Sequence, residues 1–486
     1  MNIMWCLPRS GLLCSFFLTI GLLLADALIA RAQQEDTAQD QARQALEKVV
    51  SFYRTQVGFQ GAYLWRYSSD LEYQEGEEIA TSTSGWTQPP GTPAVGEAYL
   101  ASWRASQNQQ CLEAAVEAAR ALIKSQLRSG GWDSHFDLGP QGIEQYAYRQ
   151  GGNSTGRNST TFDDNKSQSA LTLLMHVDEA LQFQDAEIHE AVEYALAAML
   201  SAQYPNGAWP QQYAKAVDRQ AFPVLPASYP KEWSRTFPEK KYTEFYTLND
   251  NNMAYIVDML LEANRIYDRQ DCYEAVVKTG EFFLLAQMPD PQPGWAQQYD
   301  QQMHPVWARK FEPPAITGGE SQSVMKTLMT VYRVTGEKKF LAPVPIALKY
   351  YQSSKLANGQ LARFYELETN RPLYFTKDYK LTYSDADMPT HYGFKVGARL
   401  EEIEAEYQRL VQSPAEDSKI AKKVAKSVRL TDDVVQRARR AIEALDERGA
   451  WVEMASMQHG PGPMQVIDMR TFIRNLEALG QLAGAK

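Results

Sequence analysis

The sequence predicts an all-α fold, an (α/α) toroid of helical hairpins joined by long loops rich in glycine and aromatic residues, with a few short strands. Three observations point there. Amphipathic helices with apolar residues at three- and four-residue steps recur along the chain, each closed by a glycine turn and usually a Trp or Tyr. A second set of helices alternates with the first. Each set has six members, so the last helix can return beside the first and close a ring.

Residues 1–32 stand apart. Arg9 precedes a nearly unbroken apolar run from Leu12 to Ala25, and Ala30-Arg31-Ala32 offers a small-x-small cleavage pattern ahead of Gln33. This predicts a signal peptide and an exported protein, periplasmic or extracellular. The remainder, 33–486, is expected to be one toroid domain.

Its first set of helices runs Ala38–Thr55, Leu112–Leu127, Ala186–Ala202, Tyr273–Ala286, Lys339–Ser353 and Asp433–Leu445. They lead into GAYLW (Gly61 to Trp65), RSGGW (Arg128 to Trp132), YPNGAWPQQY (Tyr204 to Tyr213), PGWAQQYD (Pro293 to Asp300), NGQLARFYE (Asn358 to Glu366) and RGAWV (Arg448 to Val452). The glycine ends each helix in a left-handed cap. The second set is Val95–Ala105, Ser167–Ala180, Asn251–Ile266, Ser321–Val334, Ala398–Leu410 and Met469–Leu482. The helices after residue 400 complete the ring or pack on it. Two regions interrupt the pattern: Ile143–Thr160, rich in Gly, Asn and Ser, reads as a mobile loop, and Lys215–Tyr246 as a long insertion of the kind that forms lids or binding loops.

Composition narrows the function. A hydrophobic fraction of 44% supplies a sizeable core, while a net charge of −10 disfavours nucleic acid, whose binding rests on Lys and Arg neutralising phosphates. After signal cleavage no segment is long and apolar enough for a membrane, and a monomer is expected. Cys6 and Cys14 fall in the signal; Cys111 and Cys272, far apart, are expected to be free and buried.

The linker Gly294–Ser321 gathers Trp295, Tyr299, Trp307, Arg309, Glu312 and Glu320, a mix suited to stacking on sugar rings and gripping an anionic group. Three second-set helices open on TTFDDN (Thr160 to Asn165), TLNDNN (Thr247 to Asn252) and GGES (Gly318 to Ser321). A lone Asp there commonly caps its helix. Two such clusters at equivalent positions of adjacent hairpins instead suggest hard oxygen ligands for Ca²⁺. Arg309, Arg363 and Arg371 are suited to binding carboxylates in bidentate fashion, or to ion pairs with Glu312, Glu366 or Glu368. A zinc-ligand histidine pair, a serine nucleophile elbow and a phosphate loop are all absent from the sequence.

TTFDDN, QYPNGAWPQQY, TLNDNNM, WARKFEPPAITGGES and ARFYELETNRPLY together resemble the pectate lyases of polysaccharide lyase family 10. The likeness is strongest over 85–375 and includes GWTQPPGTPAVGEAYL (Gly85 to Leu100). The resemblance implies an exported helical toroid that cleaves polygalacturonate, or a related acidic polysaccharide, by Ca²⁺-assisted β-elimination. It implies Arg309 as the base that takes the C5 proton, with Asp163 as an acidic catalytic residue. Arg371 would grip a substrate carboxylate, and Asp250, Asp164 and Asn251 would lie at the cation. Arg363, Lys166, Trp209, Tyr213 and Trp307 complete the expected substrate-binding set. Lys166 departs from the small residues usual at its position, and is expected either to aid carboxylate binding or to disturb the cation. Two other readings use the same residues: a toroid glycoside hydrolase with an Asp pair, which needs no metal, and a non-catalytic module that binds acidic glycans.

Overall fold

The structure, a computed structural model, describes residues 37–412 and 431–485; the expected signal segment lies outside them. In chain order the helices are α1 (residues 37–52), α2 (Thr92–Ser106), α3 (Gln109–Ser125), the short α4 (Pro140–Gln145), α5 (Lys166–Ala180), α6 (Ala186–Ser201) and α7 (Asn252–Tyr267). They continue as α8 (Gln270–Ala286), α9 (Glu320–Thr335), α10 (Pro343–Ser353), α11 (Leu400–Gln412), α12 (Asp432–Glu443) and α13 (Met469–Ala483). Both sets of six expected helices are present.

Helices α2, α5, α7, α9 and α11 pack side by side in that order as the inner layer, and α13 packs on α2 to bring the end of the chain to its beginning. At that closure Ser102 Oγ donates to Leu476 O at 3.1 Å, and the Tyr99 and Phe472 rings meet edge to face at 5.4 Å. Gly480 touches Ser102 so closely that a Cβ would sit 2.7 Å from the Ser102 Cα, so this crossing requires glycine. The outer layer is α1, α3, α6, α8, α10 and α12. The fold is an all-α (α/α) toroid.

The recurrent tryptophan proves to be part of the scaffold. The indole N–H of Trp132 donates to Leu122 O at 2.7 Å, that of Trp295 to Phe283 O at 2.8 Å, and that of Trp451 to Ala441 O at 2.8 Å. Each acceptor lies in the last turn of an outer helix, where carbonyls have no partner within the helix. A buried ring thus caps the helix that precedes it while filling the core. Short antiparallel pairs follow on the rim: Thr160–Thr161 with Gln212–Tyr213, Tyr246–Thr247 with Gln298–Tyr299, and Ala315–Thr317 with Phe364–Glu366. Each lays the entrance of an inner helix against a neighbouring loop.

The loop Ile143–Thr160 differs from its expectation. Tyr146 and Tyr148 are buried and stacked at 5.3 Å, and main-chain bonds tie Arg149 to Gln126 and Ala147 to Arg157. Its polar composition hides two aromatic anchors. Cys111 and Cys272 are free and buried, as expected.

His176 on α5 bridges Glu97 on α2 (2.7 Å) and Glu262 on α7 (2.8 Å), pinning three inner helices together. Burial opposes its charge, but the two carboxylates outweigh burial and raise its pKa from 6.5 to about 9. The stabilisation is therefore fully present below pH 6.5 and lost as pH rises through 9. It amounts to roughly 2–3 kcal/mol. Melting temperature should fall across this window in the wild-type protein and fall much less in His176→Gln. Parallel curves for the two proteins would contradict the assignment.

Candidate active site

The inner helices α5 and α7 begin on one rim in the same unusual way. Asp164 (φ 49°, ψ 38°) and Asn165 (φ 61°) precede α5, and Asp250 (φ 51°, ψ 33°) and Asn251 (φ 58°) precede α7. Two successive non-glycine residues in the left-handed region are costly, and Asp and Asn tolerate it best. Such strain concentrates where side chains must be aimed. These acids cap nothing, since no side-chain cap is present at either helix, whereas Asp185 and Asp468 do cap α6 and α13. The bland explanation for the two motifs is thereby removed.

What the turns achieve is convergence. One carboxylate oxygen from each of Asp163, Asp164 and Asp250 falls within 4.8 Å of the others. Their mutual repulsion has visible consequences: burial together with Asp164, Asp163 and Glu320 pushes Asp250 up to about 7 despite Arg309, and Asp164 is raised by burial and Asp163. Lys166 Nζ donates to Asp163 at 3.0 Å and lies 3.9 Å from Asp164, with 4% of its side chain exposed. Gln211 donates to Asp163 (2.8 Å) and Gln88 to Asp164 (3.2 Å), and the side-chain oxygens of both amides are buried without a donor. The partial positive charge at the start of α5 and α7 favours anions here.

Two arginines face the cluster. Arg309 Nη2 stands 3.7 Å from Asp250. Its Nε and Nη2 donate to the fully buried Glu312 at 2.8 and 2.6 Å, and its main-chain N–H donates to the same carboxylate at 3.0 Å. Burial alone would lower its pKa, but Glu312, helped by Tyr392 and Asp250, drives it well above the usual arginine value. Arg363 Nη1 donates to Glu320 (3.0 Å) and to the Tyr392 hydroxyl (3.2 Å). The Tyr392 hydroxyl in turn donates to Glu312 at 3.0 Å, and its ring lies beneath both guanidinium groups, 5.7 Å from Arg309 and 4.7 Å from Arg363.

Among the residues expected from sequence, the structure therefore brings together Asp163, Asp164, Asp250, Arg309, Arg363 and Lys166, with Asn251 in the turn beside Asp250. It separates others. Trp209 is fully buried, its indole N–H on Thr279 Oγ1 at 2.9 Å and its ring edge-on to Phe162, and Tyr213 is buried with its ring 5.4 Å from that of Phe162. Neither presents a face to a sugar, nor do the fully buried Trp295 and Tyr299. These rings are core. Trp307 is 5% exposed and packs between Phe237 and Phe375, away from the carboxylates. Arg371 stacks on Tyr383 at 3.4 Å, and no contact among the described residues joins it to the three aspartates. Gln88, Gln211 and Tyr392 were missed. Gln88 and Gln211 stand inside the recognised motifs GWTQPPG and PNGAWPQQY, whereas Tyr392 has no pattern around it that marks it.

A helical toroid whose rim collects carboxylates, arginines and unpaired amide oxygens beside helix N-termini has the chemistry to hold an acidic polysaccharide. Residues 126–361 match the family model described as pectic acid lyase. That segment contains all three aspartates and Arg309 and ends just before Arg363, and over it the chain is similar to pectic acid lyases, which are polysaccharide lyases. A search of curated proteins returns no match. Among solved structures, a family 10 polysaccharide lyase from Cellvibrio cellulosa aligns with 21% identity and a TM-score of 0.46 over 65% of this chain and 95% of that one. A mutant of a family 10 lyase from the same organism, in complex with trigalaturonic acid, aligns with 20% identity and a TM-score of 0.44 over 67% and 99%. An α-mannanase of glycoside hydrolase family 76 from Bacteroides thetaiotaomicron aligns with 10% identity and a TM-score of 0.40 over 91% and 95%.

Proposed function

We propose that the protein is a pectate lyase that cleaves polygalacturonate by β-elimination, with Ca²⁺ at the aspartate cluster and Arg309 accepting the C5 proton. The observation that carries this reading is the crowding of Asp163, Asp164 and Asp250 opposite Arg309 and Arg363. Three carboxylates within 4.8 Å leave no room for a sugar ring between them. An acid–base pair of a glycosidase must flank the scissile bond instead.

The donor set fits a hard divalent cation. Asp164 and Asp250 would hold it, with Asp163 partly engaged by Lys166, and the free oxygens of Gln88 and Gln211 are available to its hydration shell. When bound, Ca²⁺ supplies neutralisation of a substrate carboxylate, which makes the neighbouring C5–H more acidic. The chain's own residues do the rest. Arg363, held by Glu320 and Tyr392, stabilises the enolate charge that develops on that carboxylate. Glu312 fixes the plane and reach of the Arg309 guanidinium, so its nitrogens face the cluster in one orientation. Its charge also holds the Arg309 proton in place, so proton acceptance is expected only on the alkaline side. Export to the periplasm or the medium matches a polymeric substrate.

Lys166 supplies a fixed positive charge beside the metal position, so it should weaken cation binding. Titration calorimetry of Lys166→Met should show Ca²⁺ affinity raised about tenfold or more, with Lys166→Arg unchanged. Equal affinities in the wild-type and Lys166→Met proteins would mean that the ammonium does not oppose the ion.

The reading is tested by mass spectrometry of oligomers released from polygalacturonate. An eliminated product carries an unsaturated non-reducing end and is one water lighter than a hydrolysed one. Hydrolysed ends would point to the Asp-pair hydrolase, and binding without new ends to a non-catalytic module.

A further inference from the structure

Next to Arg309 in sequence, at Lys310, a cavity of about 800 Å³ opens between the inserted segment and the strands that follow Arg371. Arg235, Phe237 and Glu239 of the insertion form one wall; Tyr379, Lys380 and Tyr383 form the other, with Trp307 and Phe375 as an apolar floor. The insertion is anchored there by the Trp307 indole, which donates to Ser234 O at 2.8 Å, and by the Phe237 ring 5.9 Å from that of Trp307. Arg235 is neutralised by Glu366 and braced by the Tyr383 hydroxyl at 3.2 Å.

Lys310 and Lys380 remain. Both are exposed, both line the cavity, and among the described residues neither is paired with a carboxylate; Lys310 Nζ rests 3.6 Å from the centre of the Tyr379 ring. Arg371, equally without an acidic partner, stacks on Tyr383. The cavity also adjoins the reacting centre. Lys310 follows Arg309 directly, and the Phe311 ring lies 5.1 Å from the Arg309 guanidinium and 5.9 Å from Tyr379. The buried Phe311 ring therefore links Arg309 to the edge of the cavity, where unpaired cations are set around an aromatic floor. That combination suits a sugar that presents a C–H face and a carboxylate.

We propose that this cavity is a distal subsite that binds further uronate residues of the polymer, with Lys310 and Lys380 taking their carboxylates. This rests on the polyuronate lyase reading and adds to it a role for the insertion: the protein should prefer long chains to short ones.

The test compares kcat/KM on trigalacturonate and on a galacturonate octamer for the full-length protein. In a Lys310→Ala/Lys380→Ala double variant, kcat/KM on the octamer should fall about tenfold, the scale of a lost charged contact, while the trimer is affected far less. The loss should reside in KM. The Lys310→Arg/Lys380→Arg variant should keep the long-chain preference. Equal losses on both substrates, or no loss on either, would overturn the subsite. Absence of any elimination by the wild-type protein would instead remove the lyase reading on which it stands. In that event octamer binding, measured by calorimetry on the wild-type and double variants, decides the cavity separately: equal affinities reject it.

Discussion

Arg309→Ala is expected to slow elimination of polygalacturonate by 10²–10⁴-fold, on the order of what a positioned proton acceptor supplies, with a much smaller effect on substrate affinity. The role carries a visible tension. A guanidinium is almost always protonated, and Glu312 strengthens its hold on the proton. Glu312→Gln separates the two possible uses of the group. Because Glu312 raises the Arg309 pKa, its removal lowers it, and a base that works deprotonated becomes available at lower pH. The rising limb of the pH–rate profile should therefore move toward neutrality. A limb that stays in place while the rate falls would make Arg309 a protonated stabiliser of the enolate, and the proton acceptor would have to be sought elsewhere.

Asp250→Asn should have two opposite effects. Asp250 is raised from 3.8 to about 7 chiefly by burial and then by its acidic neighbours. For a carboxylate raised in the fold, ionisation works against folding, and the penalty grows from pH 3.8 to its full value above 7. Removing the charge should thus stabilise the ion-free protein at pH 8, by roughly 4 kcal/mol. The same change removes a hard ligand, so the rise in melting temperature on adding Ca²⁺ should largely vanish, and elimination with it. Thermal melts with chelator and with Ca²⁺ measure both effects. An unchanged Ca²⁺ response would place the ion away from Asp250.

Much of this was legible in the sequence, and the exceptions have physical causes. Helices survive inspection because apolar spacing and terminal glycines are local: Ala186–Ala202 was expected and Ala186–Ser201 is observed. Asp163, Asp164, Asp250, Arg309 and Arg363 could be named because each sits in a motif of its own, and the toroid brings equivalent linkers to one rim. The aromatic residues misled. Sequence displays a ring beside a glycine turn, but not that the indole N–H of Trp295 is committed to Phe283 O and the ring to the core. Tyr392 was invisible for another reason: its hydroxyl reaches Glu312 across 80 positions, a contact that only the folded ring creates. Arg371 shares a motif with the substrate arginines of the family it resembles, yet here it turns to Tyr383 and the cavity edge.

The most direct test of Ca²⁺-assisted elimination at the aspartate cluster is continuous ultraviolet absorbance of the unsaturated uronate product on polygalacturonate at alkaline pH. It would be recorded with Ca²⁺, with chelator, and after Ca²⁺ is restored. A rise that chelator abolishes and Ca²⁺ restores is expected in the wild-type protein, and no rise in Arg309→Ala or Asp250→Asn. New reducing ends without absorbance, or elimination indifferent to chelator, would contradict Ca²⁺-assisted elimination at the cluster.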